Sequence, residues 1–388
     1  GSSYLSRLLG RKDFRKARET TTTAVFSSFV LSIVLGVVGI LCIPLFLKVT
    51  GASGETAVAA RQYMFWILLG SPFVMLKFTM VQLVRGEGGA RQAMYGLVIG
   101  TVTNIILDPI FIFGFKMGVT GAAIATVIGQ GLAMCYFIRY YLSKQAVAAP
   151  ALRFLRLRWE IYREILLIGV PSSLSQVMMG IGNTISYNLA SAYGVSAVAA
   201  LGVASRVFSI PIFVFIGVSI GVQALIGFNY GAGNYPRMKK AISTAVIINL
   251  SLSVVFTLLF VLFPRQLISM ITPIKQTVEI GSQVIGAYLY AIPFAGVGMI
   301  MMNSLQAMGK ALPAFIVSIS RQGLAYIPAL LLLNRFFGFD GLIFAMPLSD
   351  FVTTPLSGIF VISSLSRLKH HPAPSFQEFS QPQPADEI

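Results

Sequence analysis

Charge is scarce in this sequence. Asp, Glu, Lys and Arg make up 11% of its 388 residues, less than half of the ~25% usual in soluble domains. A soluble fold of this size could not be coated with so few charges. Histidine is scarcer still. His370 and His371 are the only two, both in a polar C-terminal stretch, so a His-based metal or catalytic site within the apolar part is excluded. Cys42 and Cys135 lie inside apolar segments, and such a pair implies no disulfide framework. No Gly-x-x-x-x-Gly-Lys-Ser/Thr run occurs, so ATP hydrolysis through a P-loop is not indicated. Neither a metal-ligand cluster nor a Ser–Lys or Asp–Asp constellation supports an intramembrane enzyme.

What fills the chain is hydrophobic sequence, 56% of all residues. Ten helix-length apolar segments follow one another, at about 24–48, 62–84, 95–114, 119–142, 165–191, 196–228, 241–263, 279–305, 311–334 and 341–365. Runs of ~18 or more apolar residues read as membrane spans, because lipid cannot satisfy backbone polar groups and a helix can. A single run could be a buried core helix; ten in succession predict an all-α polytopic membrane protein.

The net charge of +16 belongs to the loops. In alternating order, the set 1–22, 84–93, 139–164, 230–240, 306–312 and 366–388 holds 20 Lys and Arg. The other set holds six: Lys48, Arg61, Lys116, Arg265, Lys275 and Arg335. Basic loops stay in the cytoplasm, which puts both termini there and makes topology, rather than nucleic-acid binding, the account of the positive charge. The stretch 143–160, with Pro150, Arg153, Arg156, Arg158 and Trp159, reads as a cytoplasmic linker at the membrane surface.

The second half repeats the punctuation of the first. The loop from Gly10 to Lys16 resembles that from Gly233 to Lys239. Arg85-Gly86-Glu87-Gly88-Gly89-Ala90 resembles Gln306-Ala307-Met308-Gly309-Lys310-Ala311. Gly118-Val119-Thr120-Gly121-Ala122-Ala123 resembles Gly338-Phe339-Asp340-Gly341-Leu342-Ile343, and the three offsets are 223, 221 and 220. An even number of helices per repeat makes the repeats parallel. On this alignment residues 161–223 have no partner, so two helices are expected to be missing from the first repeat. The expected organisation is a truncated N-lobe (1–142), the linker (143–160), a C-lobe (161–365) and a polar cytoplasmic tail (366–388).

Several of these stretches carry a family resemblance: Ser6-Arg7-Leu8-Leu9-Gly10 with Asp13, Arg85-Gly86-Glu87-Gly88, Asn104-Ile105-Ile106-Leu107-Asp108-Pro109, Gly118 to Ala123, Gly227 to Gly233, and Gln306-Ala307-Met308-Gly309. As a set, spanning about residues 1–365, they resemble the multidrug and toxic compound extrusion (MATE) transporters, with a character similar to the bacterial exporters of the MepA-like branch. The resemblance implies a twelve-helix, two-lobe fold in a bacterial plasma membrane. It implies export of cationic, amphipathic drugs in exchange for H+ or Na+, with no cofactor and no obligate protein partner. Against that pattern the chain starts near the end of the second helix, as a fragment or truncated reading frame would.

Ionisable residues at membrane depth are costly and point to function. Here they are Lys77, Asp108, Arg206, Arg321 and Asp350. Asn104 and Asp108 are four residues apart and share a helix face. Pro109 frees a backbone carbonyl, and Thr126 lies at similar depth on the returning helix. These are hard oxygen ligands suited to Na+ or a proton. The resemblance matches Asn104, Asp108 and Thr126 to the family's N-lobe cation site, which also uses an Asp of helix 1 that this chain does not contain. The alternative is a carboxylate that merely caps a Pro-kinked helix. Asp350 is expected to pair with Arg321 as a structural ion pair. Candidate substrate-cavity residues are Gln176, Met178, Asn183, Met299, Met302, Asn303 and Gln306, since soft Met-rich surfaces suit promiscuous ligands and amides can line a wet cavity; packing and inter-helix bonding are the alternatives. Beside a drug antiporter stand two other readings: a transport-inactive truncation, and a lipid-linked precursor flippase, a class that needs a more cationic cavity than Lys77, Arg206 and Arg321 would supply beside Asp108 and Asp350.

Overall fold

The computed structural model describes residues 1–49, 53–143 and 146–368; the polar tail from 369, with both histidines, lies outside the described residues, as do Lys144 and Gln145 of the linker. The chain divides into two compact units, Gly1–Arg163 and Glu164–Ile388.

The first unit comprises α1 (Ser2–Gly10), α2 (Phe14–Val49), α3 (Gly54–Leu69), α4 (Ser71–Gly86), α5 (Ala90–Pro109) and α6 (Gly118–Leu142). The second comprises α7 (Trp159–Ser191), whose first turn lies in the first unit, α8 (Val195–Gly231), α9 (Tyr235–Leu262), α10 (Pro264–Ser269), α11 (Lys275–Tyr288), α12 (Ile292–Ala307), α13 (Ala311–Ile319) and α14 (Tyr326–Arg367). Six uninterrupted stretches are long and apolar enough to cross a membrane: those of α2, α5, α6, α7, α8 and α9. Two further spans are bent pairs, α3 with α4 at 53° and α11 with α12 at 51°. The bends fall at Gly70 and at 289–291, each followed by a proline at the start of the next helix, Pro72 and Pro293, where the missing N–H costs nothing.

The remaining stretch, Ala311–Arg367, is 57 residues long. At ~1.5 Å per residue a straight helix of that length would far exceed a ~30 Å hydrocarbon core. It doubles back at Gly338, whose φ of 60° and ψ of −137° break the helix. A side chain at Gly341 would collide with the carbonyl of Leu333, and Arg321 meets Asp350 across the fold. With each bent pair counted as one and this hairpin as two, the spans among the described residues number ten, as the hydropathy pattern predicts.

The helices turn apolar side chains outward; Leu41 is 73% exposed, and Phe213 and Phe336 are similarly bare. Such faces would aggregate in water and are at rest in lipid. Inside lipid, burial of apolar area drives little association, so close packing and polar contacts hold the helices together. The second unit packs Phe215, Phe260, Ile285, Ile292, Leu330 and Leu342 into one cluster. In the first, Phe137 is fully buried and covers the bare backbone of Gly96.

The linker is tied down by polar bonds. Thr23 donates its hydroxyl to the Arg156 carbonyl at 3.0 Å, and Thr22 accepts from the Ala151 amide at 3.1 Å. Arg18 lies 5.7 Å from the Phe154 ring centre, and the Glu87 carboxylate accepts from the Val147 amide at 3.1 Å. Trp159 is 70% exposed, as an interfacial anchor would be.

The first pair of repeated turns shares one hydrogen-bond pattern. Lys12 N bonds to Leu9 O, Asp13 N to Leu8 O and Phe14 N to Lys12 O; Gly233, Asn234 and Tyr235 do the same with Tyr230, Asn229 and Gly233. Asp13 and Asn234 then cap the next helix by accepting from the Lys16 and Arg237 amides. The offset here is 221, which corrects the 223 obtained by matching Gly10 to Gly233. The residue opposite Gly233 is Lys12, and both have positive φ, 60° and 70°. Gly88 and Gly309 (88° and 72°) and Gly118 and Gly338 (54° and 60°) are the other two pairs. The left-handed conformation explains the recurring glycines; Lys12 holds it without one.

Candidate functional site

Two polar centres sit between membrane helices, one in each unit. In the first, α5 and α6 approach closely because small residues face each other. A Cβ added to Gly129 would lie 2.6 Å from the Gly100 carbonyl and 3.4 Å from the Asn104 Cβ. That approach brings together the three residues expected at the cation site. The Asn104 amide donates to Asp108 Oδ1 at 3.0 Å and to Thr126 Oγ1 at 3.3 Å, and the Thr126 hydroxyl donates to the Ala122 carbonyl at 2.9 Å. After Pro109 the helix widens into a π-turn, Ile110–Gly114, before the chain reverses through Lys116 and Gly118. Such turns recur at functional positions. Asp108 makes no ion pair among the described residues. The Asn104 amide thus ties the Asp108 carboxylate to the hydroxyl of Thr126. This is a set of hard oxygens, and hard cations or a proton are what such oxygens hold.

The second centre lies in the hairpin of α13 and α14. A π-turn, Ser320–Ala325, carries Arg321. Its Nε donates to Asp350 Oδ1 at 2.6 Å and its Nη2 approaches Oδ2 at 3.4 Å. Ser349 donates its hydroxyl to the Arg321 carbonyl at 2.6 Å. Beside the pair is a cavity of about 110 Å³, lined also by Asn183, Gln322, Tyr326 and two methionines, Met179 and Met346.

The other candidate cavity residues do not converge. Gln306 is buried; its amide approaches the Ser172 hydroxyl at 3.5 Å and its oxygen faces the Gln223 amide at 3.4 Å. Asn303 donates to the Met299 carbonyl of its own helix at 3.0 Å. Met302 accepts from the Ser318 hydroxyl at 3.6 Å, and Met299 packs on the apolar core. Met178 lies against Gly323, and Gln176 is exposed. Of that set only Asn183 reaches the cavity. Gln322, Tyr326 and Ser349 were not singled out in the sequence. Their signal was adjacency to Arg321 and Asp350, readable once Gly338 is known to fold the segment back.

The profile of the family described as MatE matches residues 1–110 and 171–331. The chain belongs to the MATE transporter family. The multidrug export protein MepA of Staphylococcus haemolyticus (strain JCSC1435) is 30% identical over 371 residues, 95% of this chain and 81% of that protein. MepA of Staphylococcus aureus (strain NCTC 8325 / PS 47) is 30% identical over 353 residues, 90% and 77% of the two chains. A crystal structure of a MATE in complex with MaL6 superposes with a TM-score of 0.91 at 23% identity, over 95% of this chain and 83% of that one. An outward-facing multidrug resistance MATE transporter of the MOP superfamily gives 0.90 at 24%, with the same coverage. The likeness to these structures establishes the fold. Together with the family it identifies a multi-pass membrane protein of a multidrug exporter family.

Proposed function

We propose that this chain is a secondary multidrug antiporter of a bacterial plasma membrane, exporting cationic amphipathic drugs in exchange for H+ or Na+. The observation that carries the reading is Asp108: a carboxylate at membrane depth, hydrogen-bonded to Asn104, linked through it to Thr126, and without a basic partner among the described residues. An uncompensated charge there is expensive, and a proton or Na+ that neutralises it can bias a two-state carrier by its differential affinity for the two states. The positive-inside distribution supports cytoplasmic termini. The proposed lobes are 1–142 and 161–365, joined by the linker 143–160. No cofactor or obligate protein partner enters this reading.

The test is Asp108→Asn, which keeps the side-chain shape and removes the ionisable group. In a drug-sensitive host with matched protein levels, ethidium efflux is expected to fall to that of cells lacking the transporter. Efflux equal to that of the unaltered protein would overturn the assignment.

A further inference from the structure

The cavity beside Arg321 and Asp350 has more polar chemistry than an ion pair needs. A guanidinium carries five N–H donors. Asp350 takes one from Nε and one from Nη2, and the rest have no acceptor among the described residues. The amides of Asn183 and Gln322, which line the same cavity, make no hydrogen bond among the described residues either. The Ser349 hydroxyl is occupied by the Arg321 carbonyl. Unpaired donors at membrane depth are stable only against water or a ligand.

The charge pattern narrows the ligand. Asp350 and Arg321 both line the cavity, but each carboxylate oxygen already accepts from the guanidinium, so the polar capacity left over is that of the donors. A cationic group finds no open carboxylate there. A full anion meets the field of Asp350 behind the guanidinium, since the pair is neutral overall. An uncharged acceptor oxygen suits both. The thioethers of Met179 and Met346 supply polarisable walls. At about 110 Å³ the space is well below the ~300–1,000 Å³ of a whole drug pocket, so it admits one end of a molecule.

We infer that this pocket is a subsite for the carbonyl-type oxygen of an amphipathic drug, with Arg321 as donor, Asn183 and Gln322 flanking it, and Asp350 positioning the guanidinium. The ligand class rests on the export reading, but the site is tested by binding, which requires no transport.

Calorimetric titration of the purified full chain in detergent would compare two nearly isosteric lipophilic cations, (4-acetylphenyl)triphenylphosphonium and (4-isopropylphenyl)triphenylphosphonium. The acetyl compound is expected to bind about tenfold more tightly, the effect of one charge-assisted hydrogen bond after desolvation. In the double variant Arg321→Met/Asp350→Leu, which leaves no lone buried charge, the two affinities are expected to agree within about twofold, with that of the isopropyl compound unchanged. Gln322→Leu, with the ion pair intact, is expected to reduce the preference about threefold, and it carries the test if the double variant does not fold. Equal affinities for the unaltered protein, no binding of either probe, or a preference that survives these substitutions would each overturn the inference. The export reading stands or falls separately, on efflux by Asp108→Asn.

Discussion

In the first unit, α5 and α6 meet through Gly100 and Gly129, backbone against backbone. In the second, at offsets of 221 and 220, the corresponding positions are Arg321 and Ser349, and the contact is a hydroxyl donating to the Arg321 carbonyl. The next residue on, Gln130 in the first unit, is Asp350 in the second. Both hairpins turn at a glycine with nearly equal φ, Gly118 at 54° and Gly338 at 60°. The backbone scaffold is thus shared while its electrostatic use differs. The first hairpin is packed tightly enough to bring Asn104, which its own helix sets against Asp108, within reach of Thr126, and leaves its carboxylate without an ion pair among the described residues. The second supplies the counter-charge to its own carboxylate and keeps a polar cavity beside it. Unpaired, a buried carboxylate is available to a mobile cation; paired, it serves to orient an arginine.

The comparison breaks most visibly at the ion pair. Asp350→Ala strands Arg321 in the membrane interior and is expected to destabilise the protein by about 3–5 kcal/mol, whereas Arg321→Met/Asp350→Leu should stay within about 1 kcal/mol of the unaltered protein, because it is a lone buried charge that costs most. Thermal unfolding in detergent distinguishes the two. An equal loss in both variants would mean that the pair contributes more than mutual neutralisation.

A smaller effect is expected at the glycine contact of the first unit. Gly129→Ala places a methyl 2.6 Å from the Gly100 carbonyl, and overpacking of this kind costs about 1–3 kcal/mol. By separating α5 from α6 it should also weaken the Asn104–Thr126 bond of 3.3 Å, so efflux should drop further than stability alone predicts. The matching change in the second unit, Ser349→Ala, removes one hydroxyl bond and adds no bulk; about 1 kcal/mol is expected. A larger loss there than at Gly129 would contradict the different packing of the two hairpins.

The smallest effect sharpens the comparison at the turns before these hairpins. Opposite Met308, which is buried and apolar, stands Glu87. Burial pushes its carboxyl up to about 7, partly offset by the linker amides of Val147 and Ala148. A folded-state value above the unfolded one favours the protonated form, so its stabilising contribution is complete below about pH 4.5 and is lost as pH rises through about 7. Glu87→Gln should therefore stabilise the protein at pH 8 by on the order of 1–2 kcal/mol, seen as a higher unfolding temperature, and flatten the pH dependence between 6 and 8. Unchanged pH dependence would show that the turn is as insensitive to pH as its counterpart at Met308.

Much of this is legible in the sequence. The ten apolar runs, the turn glycines and the Asn104-x-x-x-Asp108 spacing are local, and local patterns follow from helix geometry and backbone sterics. Other patterns left the partners of a residue open. Met299, Met302 and Asn303 share a stretch with Gln306, but a helix interior satisfied Asn303 with its own backbone and packing absorbed the methionines. Matching glycine to glycine shifted one turn by two residues, because Lys12 holds the left-handed conformation where its counterpart is Gly233. The threonines at 22 and 23 gave no sign that they would bind the linker more than 120 residues later.

Hydropathy, loop charge and turn chemistry are properties of short segments, and they are enough to make this chain a repeated, multi-pass helical membrane protein. Tertiary structure decided which polar residues meet. Arg321 reaches Asp350 only because Gly338 folds the chain back and a π-turn sets the phase of the helix at Ser320–Ala325. Asn104 reaches Thr126 only because Gly100 and Gly129 let two backbones touch. Contacts of this kind depend on the approach and rotation of two helices, and no periodicity within either helix encodes them.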